Sequence, residues 1–268
     1  MKKKKPIYNA IFFLFVIISC APLIILIMLT ISTFWPYPSI LPQVVSLDYF
    51  RHVFIENRQT FMAVITSILL AFFVMILSLA IAIPAGKAIA CYNFYGKGFI
   101  KLFVLIPLVV PSIAVITGIH ITMIRAGLTG NFLGVAIIQT LFALPYAVRI
   151  MTNVFEIIGR RLEQQATVLG AGAVTIFLKV TLPRLMPAIL SAGALSFTVS
   201  IAQYITTFII GGGRIITVTM LIVPHIQSRE HHIAAVYSIL LILTALLSLF
   251  LTERLVRRYY KIDEVFSV

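Results

Sequence analysis

The segment FMAVITSILLAFFVMILSLAIAIPA, residues 61–85, contains no charged side chain. About 20 consecutive apolar residues cross the hydrocarbon core of a bilayer as an α-helix, and this segment is long enough to do so. A Lys or Arg at mid-membrane costs roughly 2.5–3.5 kcal/mol even on the lenient insertion scale. The absence of charge over this length therefore predicts a membrane-spanning helix.

The rest of the chain repeats this pattern. Of its 268 residues, 61% are hydrophobic and 11% charged, whereas a soluble domain usually has about 25% charged residues. Charge-free runs of at least 22 residues occur six times. They predict one all-α, polytopic transmembrane domain over residues 1–268, with spans at 10–32, 61–85, 101–123, 132–152, 188–212 and 232–253. Pro107 and Pro111 predict a kink in the third span.

The basic residues indicate how the chain is oriented. Six crossings place both termini on one side, and that side holds 16 of the 21 Lys and Arg residues, including Lys2 to Lys5. By the positive-inside rule, both termini are predicted to be cytoplasmic. The net charge of +13 then reflects topology and attraction to anionic lipid headgroups. Because the charges are scattered over several loops, we do not expect nucleic-acid binding.

The longest predicted cytoplasmic segment, residues 153–187, lies between the fourth and fifth spans. Leu162, Ala166 and Leu169 are spaced to share one helix face, and glycines at 170 and 172 are expected to end that helix. A second short helix, 174–180, should end at Pro183, and Pro187 should begin the fifth span. Two exposed apolar helices predict docking into a groove on a partner protein. A purely structural connector would have a similar pattern.

This segment resembles a loop in the permease subunits of ATP-binding-cassette (ABC) importers. In that family the loop has the form E-A-A-x-x-x-G, followed after about nine residues by a hydrophobic residue and L-P. Gln164, Gln165 and Ala166 stand at the E-A-A positions and Gly170 at the glycine. Matching the family's F-x-x-V-x-L-P-x-x-x-P are Phe177, Val180, Leu182, Pro183 and Pro187. Glutamine replaces the acidic residue, with Glu163 just before it; the resemblance covers about residues 60–255.

The resemblance implies a type I ABC importer permease fold in the bacterial inner membrane. It also implies a second permease subunit, identical or related, an extracytoplasmic solute-binding protein, and two ATPase subunits that bind ATP and Mg²⁺. ATP-driven closure of the ATPases would move the loop and switch the spans from inward- to outward-facing. This chain has no G-x-x-x-x-G-K-[ST] phosphate loop, so no cofactor is expected in it. The positions assigned to ATPase coupling are Glu163, Gln164, Gln165, Ala166, Gly170, Ala171, Phe177, Pro183 and Pro187.

A polar stripe is predicted on the fifth span, because four polar residues are spaced four, three and four apart. Polar groups in a bilayer must face protein or a water-filled path, so this stripe forms either interhelical hydrogen bonds or part of a translocation pathway. In similar permeases this helix lines the pathway. The candidate pathway residues are Ser196, Ser200, Gln203 and Thr207 on this span, with Gln139 on the fourth and His120 on the third.

Other functions have less support in the sequence. His225, His231 and His232 lie near the predicted outer mouth, but a solvated cluster is more common than a metal site, and none is expected. A channel should have a filter loop or a charged ring, and neither is evident. The alternative to a permease is a six-span membrane enzyme or assembly factor that is not coupled to an ATPase.

The solute is indicated only by the segment that follows the first span. WPYPSILP at 35–42 and SLDYF at 46–50 resemble permeases of the polyamine, aminoalkylphosphonate, ferric-iron and thiamine group. The expected solute is a small polar molecule, with a polyamine or an aminoalkylphosphonate as the best guess.

Overall fold

The computed structural model describes residues 5–36 and 38–260. Lys2 to Lys4 and Lys261, which contribute to the predicted orientation, lie outside these residues. The elements in chain order are α1 (Lys5–Thr30), β1 (Ser32–Phe34), β2 (Val44–Val45), α2 (Asp48–Arg51), α3 (Arg58–Cys91), α4 (Lys97–Val109), α5 (Ser112–Arg125), α6 (Phe132–Ile158), α7 (Arg161–Val168), α8 (Ala173–Ile176), α9 (Leu182–Ile201), α10 (Ile205–Gly211), α11 (Val218–Gln227) and α12 (His231–Tyr260). Two π-helical turns, His52–Glu56 and Phe177–Thr181, follow α2 and α8.

Within the described residues, five helical segments are long and apolar enough to cross a membrane: Phe12–Thr30, Arg58–Cys91, Phe132–Ile158, Ala173–Ile201 and His231–Leu251. A sixth crossing is present if α4 and α5 count as one bent span. The prediction of an all-α polytopic membrane protein is therefore confirmed. The cytoplasmic placement of the termini stays a prediction.

The chain divides into two compact units. The first comprises Met1–Ala63 and Val218–Leu243. In this unit β1 and β2 pair antiparallel, with Ser32 opposite Val45. The buried Tyr237 hydroxyl accepts a hydrogen bond from Asn57 Nδ2 at 3.2 Å and lies 3.1 Å from Thr60 Oγ1.

The second unit comprises Val64–Thr217 and Thr244–Val268, and α6 runs through its core. One cluster of buried side chains joins α6 to α3, α5 and α10: Leu70, Val74, Ile116, Val135, Ile138, Phe142 and Ile210. Another joins α6 to α3 and α9: Ala82, Ile89, Ala147, Met151, Phe155, Leu185 and Ala188. Small residues bring the backbones close together. At Gly86 of α3, an added Cβ would lie 2.6 Å from Met151 Cβ, so this contact requires glycine.

The third predicted span is not one continuous helix. α4 ends at Val109 and α5 begins at Ser112, and the two helices are bent by 104°. Pro111 has no N–H and disfavours a helical residue before it. Val110 is accordingly extended, with φ −79° and ψ 133°. The kink predicted from Pro111 is a complete break.

The fifth predicted span, 188–212, is wrong at both ends. Helical backbone begins at Ala173, continues through the π-helical turn and α9, and ends at Ile201. Residues 202–204 interrupt it before α10 begins. At the break, Gln203 N donates to Ser200 O, three residues back, and Thr207 Oγ1 donates to Gln203 O. A bond from a side chain to a backbone carbonyl, such as that from Thr207 to Gln203 O, competes with the regular helical hydrogen bonds.

Candidate functional site

The segment predicted to dock a partner forms a separate helical unit at one end of the spans. α6 continues to Ile158 and α9 begins at Leu182, so the segment between them, 159–181, is shorter than the predicted 153–187. Gly159, with φ +63°, follows α6. Pro183 lies in the first turn of α9 and Pro187 lies inside it. The predictions that Pro183 ends the second short helix and that Pro187 begins the span are therefore wrong. Pro183 is tolerated at its position because a missing N–H costs little in the first turn of a helix.

Gly170 ends α7, as predicted. Its φ of +83° is in the left-handed region that glycine adopts at low cost. Gly170 N donates to Thr167 O and Ala171 N donates to Ala166 O, both at 3.0 Å. These two bonds form a Schellman motif. Gly172 instead is extended, with φ −72° and ψ 157°.

Around this turn the chain exposes large apolar side chains, which we call the apolar patch. Its members are Val168, Leu169, Val174 and Leu178, exposed by 87, 87, 72 and 53%. Leu162 and Ala166, predicted to share a face with Leu169, are half-buried, so that prediction is wrong for Leu169. The sequence reasoning missed Val168, the last residue of α7, because a helix-face spacing does not identify residues exposed by a terminating turn.

The remaining predicted coupling residues surround the apolar patch. Gln164 and Gln165 are exposed on α7, and Phe177 is exposed in the π-helical turn. Ala171 is half-buried beside the Schellman turn. The structure therefore brings these positions together on one short segment.

Glu163 faces inward and anchors the segment. Its Oε1 lies 2.8 Å from Lys87 Nζ on α3 and accepts a hydrogen bond from Thr181 Oγ1 at 2.7 Å. Burial alone would raise the pKa of Glu163, but the hydrogen bonds from Lys87 and Thr181, together with the positive charges of Lys87 and Arg160, outweigh it and hold the pKa below its usual value. The Arg160 guanidinium also lies 4.6 Å from the Tyr92 ring centroid, a favourable cation–π distance. Both contacts connect α7 to the end of α3.

Three of the predicted pathway residues form a buried hydrogen-bond network. Ser200 Oγ donates to Gln139 Oε1 at 2.5 Å, and Gln139 Nε2 donates to Thr207 Oγ1 at 3.1 Å. The network joins α6 to the residues on both sides of the 202–204 break. Within the chain, these side chains therefore act as interhelical hydrogen bonds.

The other pathway candidates are placed differently. Gln203 lies in the break, half-buried, and its Oε1 accepts from Thr206 Oγ1 at 3.0 Å. Ser196 is fully buried, and its Oγ has no hydrogen-bond partner in the described part of the chain. His120 is half-buried on α5, and no hydrogen bond between described residues joins it to the network. The predicted stripe is therefore divided between α9, the break and α10.

The histidines near α12 form protein contacts. His225 Nδ1 lies 2.6 Å from a Glu230 carboxylate oxygen, and its ring stacks on Tyr237 at 5.6 Å between centroids. His232 Nδ1 lies 3.1 Å from Ser32 Oγ. Among residues 5–36 and 38–260, no group of three or more His, Cys, Asp or Glu side chains is arranged to hold a metal ion.

Comparisons with known proteins agree with this architecture. The molybdenum transport system permease protein ModB of Haemophilus influenzae is 31% identical over 70% of this chain and 89% of its own length. The sulfate transport system permease protein CysT of Salmonella typhimurium is 25% identical over 76% and 79%. The spermidine/putrescine transport system permease protein PotC of H. influenzae is 26% identical over 62% and 65%.

A solved structure has the same fold. A chain of a bacterial ABC transporter involved in the import of the acidic polysaccharide alginate superposes with a TM-score of 0.70, 17% identity and 95% coverage of both chains. Residues 80–261 match the family described as binding-protein-dependent transport system inner membrane component. The resemblance drawn from the sequence is confirmed, and the relatives support a transporter rather than a membrane enzyme. The chain belongs to this family: it is a multi-pass inner-membrane permease subunit of an ABC importer.

Proposed function

We propose that the apolar patch is where the ATPase subunits act on this permease. The observation that carries the proposal is the contrast between the exposed and the anchored side of the α7 segment. Val168 and Leu169 are almost completely exposed, while Glu163 in the same helix is anchored to Lys87 and Thr181. An exposed apolar surface on a short helix fits a groove on a partner, and an anchored base allows the helix to transmit force. ATP and Mg²⁺ would be bound by the two ATPases.

A single charge in the patch tests this proposal. Val168→Asp should prevent co-purification of the ATPase, because a carboxylate would be buried unpaired at the contact. Ile40→Asp is a matched control, since Ile40 is 88% exposed in the β1–β2 loop and should leave co-purification unchanged. Normal ATPase binding and transport by Val168→Asp would overturn the proposal. Loss in both variants would point to a general folding defect.

The translocation pathway is proposed to pass the 202–204 break, between this chain and a second permease subunit, identical or related. Non-helical backbone at membrane depth is tolerated where protein or water covers it, and the buried, unpartnered Ser196 hydroxyl lies on the adjoining α9. His120 is the least supported of the pathway candidates.

The test of this pathway uses a chain with Cys20 and Cys91 replaced by Ser. During turnover, Gln203→Cys should react with a membrane-impermeant thiol reagent, and added solute should slow that reaction. Phe208→Cys, the control on α10 outside the break, should react slowly, and added solute should not change its rate.

We propose that the solute is small and polar, is delivered by an extracytoplasmic binding protein, and is of the polyamine or aminoalkylphosphonate type. The sequence after the first span and the relative named for spermidine/putrescine transport support this choice. The relatives named for molybdenum and sulfate transport favour an oxyanion as the second candidate. Calorimetry on the cognate binding protein with spermidine, 2-aminoethylphosphonate, molybdate and sulfate separates the two. If the binding protein bound molybdate or sulfate but neither spermidine nor 2-aminoethylphosphonate, the polyamine or aminoalkylphosphonate assignment would be refuted.

A further inference from the structure

The second unit contains a cavity of about 260 Å³ whose walls come from α3, α4 and α6. α3 contributes Ile89, and α4 contributes Lys101, Val104 and Leu105. α6 contributes one face of the helix, at steps of three and one: Pro145, Val148, Arg149, Thr152, Asn153 and Glu156. No part of the proposed coupling or pathway machinery uses this cavity.

The cavity is polar at one end and apolar at the other. On α6 the charged positions lie toward the C-terminal end, and Pro145, the lining residue nearest the N-terminus of the helix, is roughly 16 Å from Glu156 at 1.5 Å per residue. On α4, Lys101 precedes the apolar Val104 and Leu105. The two polar ends coincide, because Cys91, the last residue of α3 and six residues before α4, has its Sγ 3.9 Å from Phe155 O on α6. The polar end is therefore at the same end of the spans as α7.

Among the described residues, nothing neutralises the charges at the polar end of the cavity. Lys101 and Arg149 form no ion pair or hydrogen bond with other described side chains, and neither does Glu156. Two cations and one carboxylate leave an excess of one positive charge. A phosphodiester carries one negative charge, and its oxygens accept hydrogen bonds from both Lys and Arg.

We propose that this cavity binds an anionic phospholipid, with the phosphate between Lys101 and Arg149 and an acyl chain along α4 beside Val104 and Leu105. Large apolar side chains of α4 are exposed beside the cavity: Phe99, Leu102, Phe103 and Ile106. A basic pocket between membrane helices is suited to a lipid headgroup. The polarity gradient favours a lipid over a soluble anion, which would gain nothing from the apolar end. The assignment to the inner leaflet rests on the proposed function, in which α7 faces the cytoplasm.

The test is native mass spectrometry of the purified full chain, titrated with phosphatidylglycerol and with phosphatidylcholine of the same acyl chains. Phosphatidylglycerol should bind more tightly. Lys101→Gln and Arg149→Gln should each weaken its binding by about fivefold, the factor for one basic residue near anionic lipid. Glu156→Gln should strengthen it severalfold, a gain that a folding defect cannot produce. Lys179→Gln, which removes an exposed cation outside the cavity, should leave binding within twofold.

Three results would overturn the proposal. Unchanged phosphatidylglycerol binding in the Lys101→Gln/Arg149→Gln variant would refute the site. An equal loss in Lys179→Gln would mean general attraction to a basic surface. Displacement of the lipid by millimolar inorganic phosphate would mean a soluble-anion site. Because Val168→Asp should not alter lipid binding, failure of the ATPase-docking proposal is distinguishable from failure of this one.

Discussion

Replacing Glu163 by Gln should loosen α7 without unfolding the spans. The glutamine amide oxygen can still accept from Lys87 and Thr181, but the bond from Thr181 becomes a neutral one and the bond from Lys87 loses the carboxylate charge that completes the ion pair. Hydrogen bonds to charged groups contribute about 1.5–3 kcal/mol and neutral ones about 0.5–1.5 kcal/mol. The side chains of Glu163 and Lys87 are 17% and 30% exposed, so solvent screening reduces the difference. We expect a loss of about 1–2 kcal/mol, a factor of 5–30 in the opening equilibrium.

Hydrogen–deuterium exchange of the full chain in nanodiscs measures this opening directly. Amides of residues 161–168 should exchange 5–30 times faster in Glu163→Gln than in the wild type, while those of α6 should be unchanged. Glu156→Gln is the chemically matched control, because Glu156 has no ion-pair partner among the described residues. Exchange of 161–168 within twofold of wild type, or an equal increase in the control, would refute the anchoring role.

Other outcomes follow from packing, hydrogen bonding and charge. Gly86→Ala should lower the thermal midpoint in detergent by overpacking against Met151, at a cost of about 1–3 kcal/mol; Gly98→Ala, in α4, where an added Cβ meets nothing within 4 Å, should not lower it. Gln139→Leu leaves the two hydroxyls of its network without their amide partner and should cost about 0.6–1.7 kcal/mol, measured as a lower midpoint. The lowered folded-state pKa of Glu163 stabilises α7 above the carboxyl's unfolded pKa, and this contribution is lost as pH falls through the folded value. Hydrogen-exchange protection of α7, corrected for the intrinsic exchange rate, should therefore decrease in the wild type as pH is lowered from the unfolded pKa through the folded pKa. In Glu163→Gln it should not change with pH.

Much of the fold could be predicted because the absence of charge is a strong, local signal. Runs such as 61–85 indicate membrane crossing by composition alone, and the helical bounds Arg58–Cys91 differ from that run only at the ends. Pro111 likewise indicated a local interruption. The 104° angle depends on how both halves pack, which no local pattern contains.

The candidate site was predictable in position but not in orientation. Gly170 could be identified because a left-handed residue requires glycine in most sequences. The inward direction of Glu163 depends on Lys87, 76 residues earlier in the chain, and on Thr181 beyond the Schellman turn. The spacing of Ser200 and Thr207 predicted one stripe, but the break at 202–204 and Gln139 on another helix turned them into a buried network.

The close contact at Gly86 has a mechanical consequence. Lys87, the next residue, is bound to Glu163, and Gly86 itself packs against the backbone of Met151. These two contacts tie α7, the end of α3 and α6 together at one level, and we expect them to resist shear between the three helices. In the proposed coupling, a displacement of α7 would therefore pass to α3 and α6, and we expect the unit to bend where the backbone is interrupted, at 110–111 and 202–204.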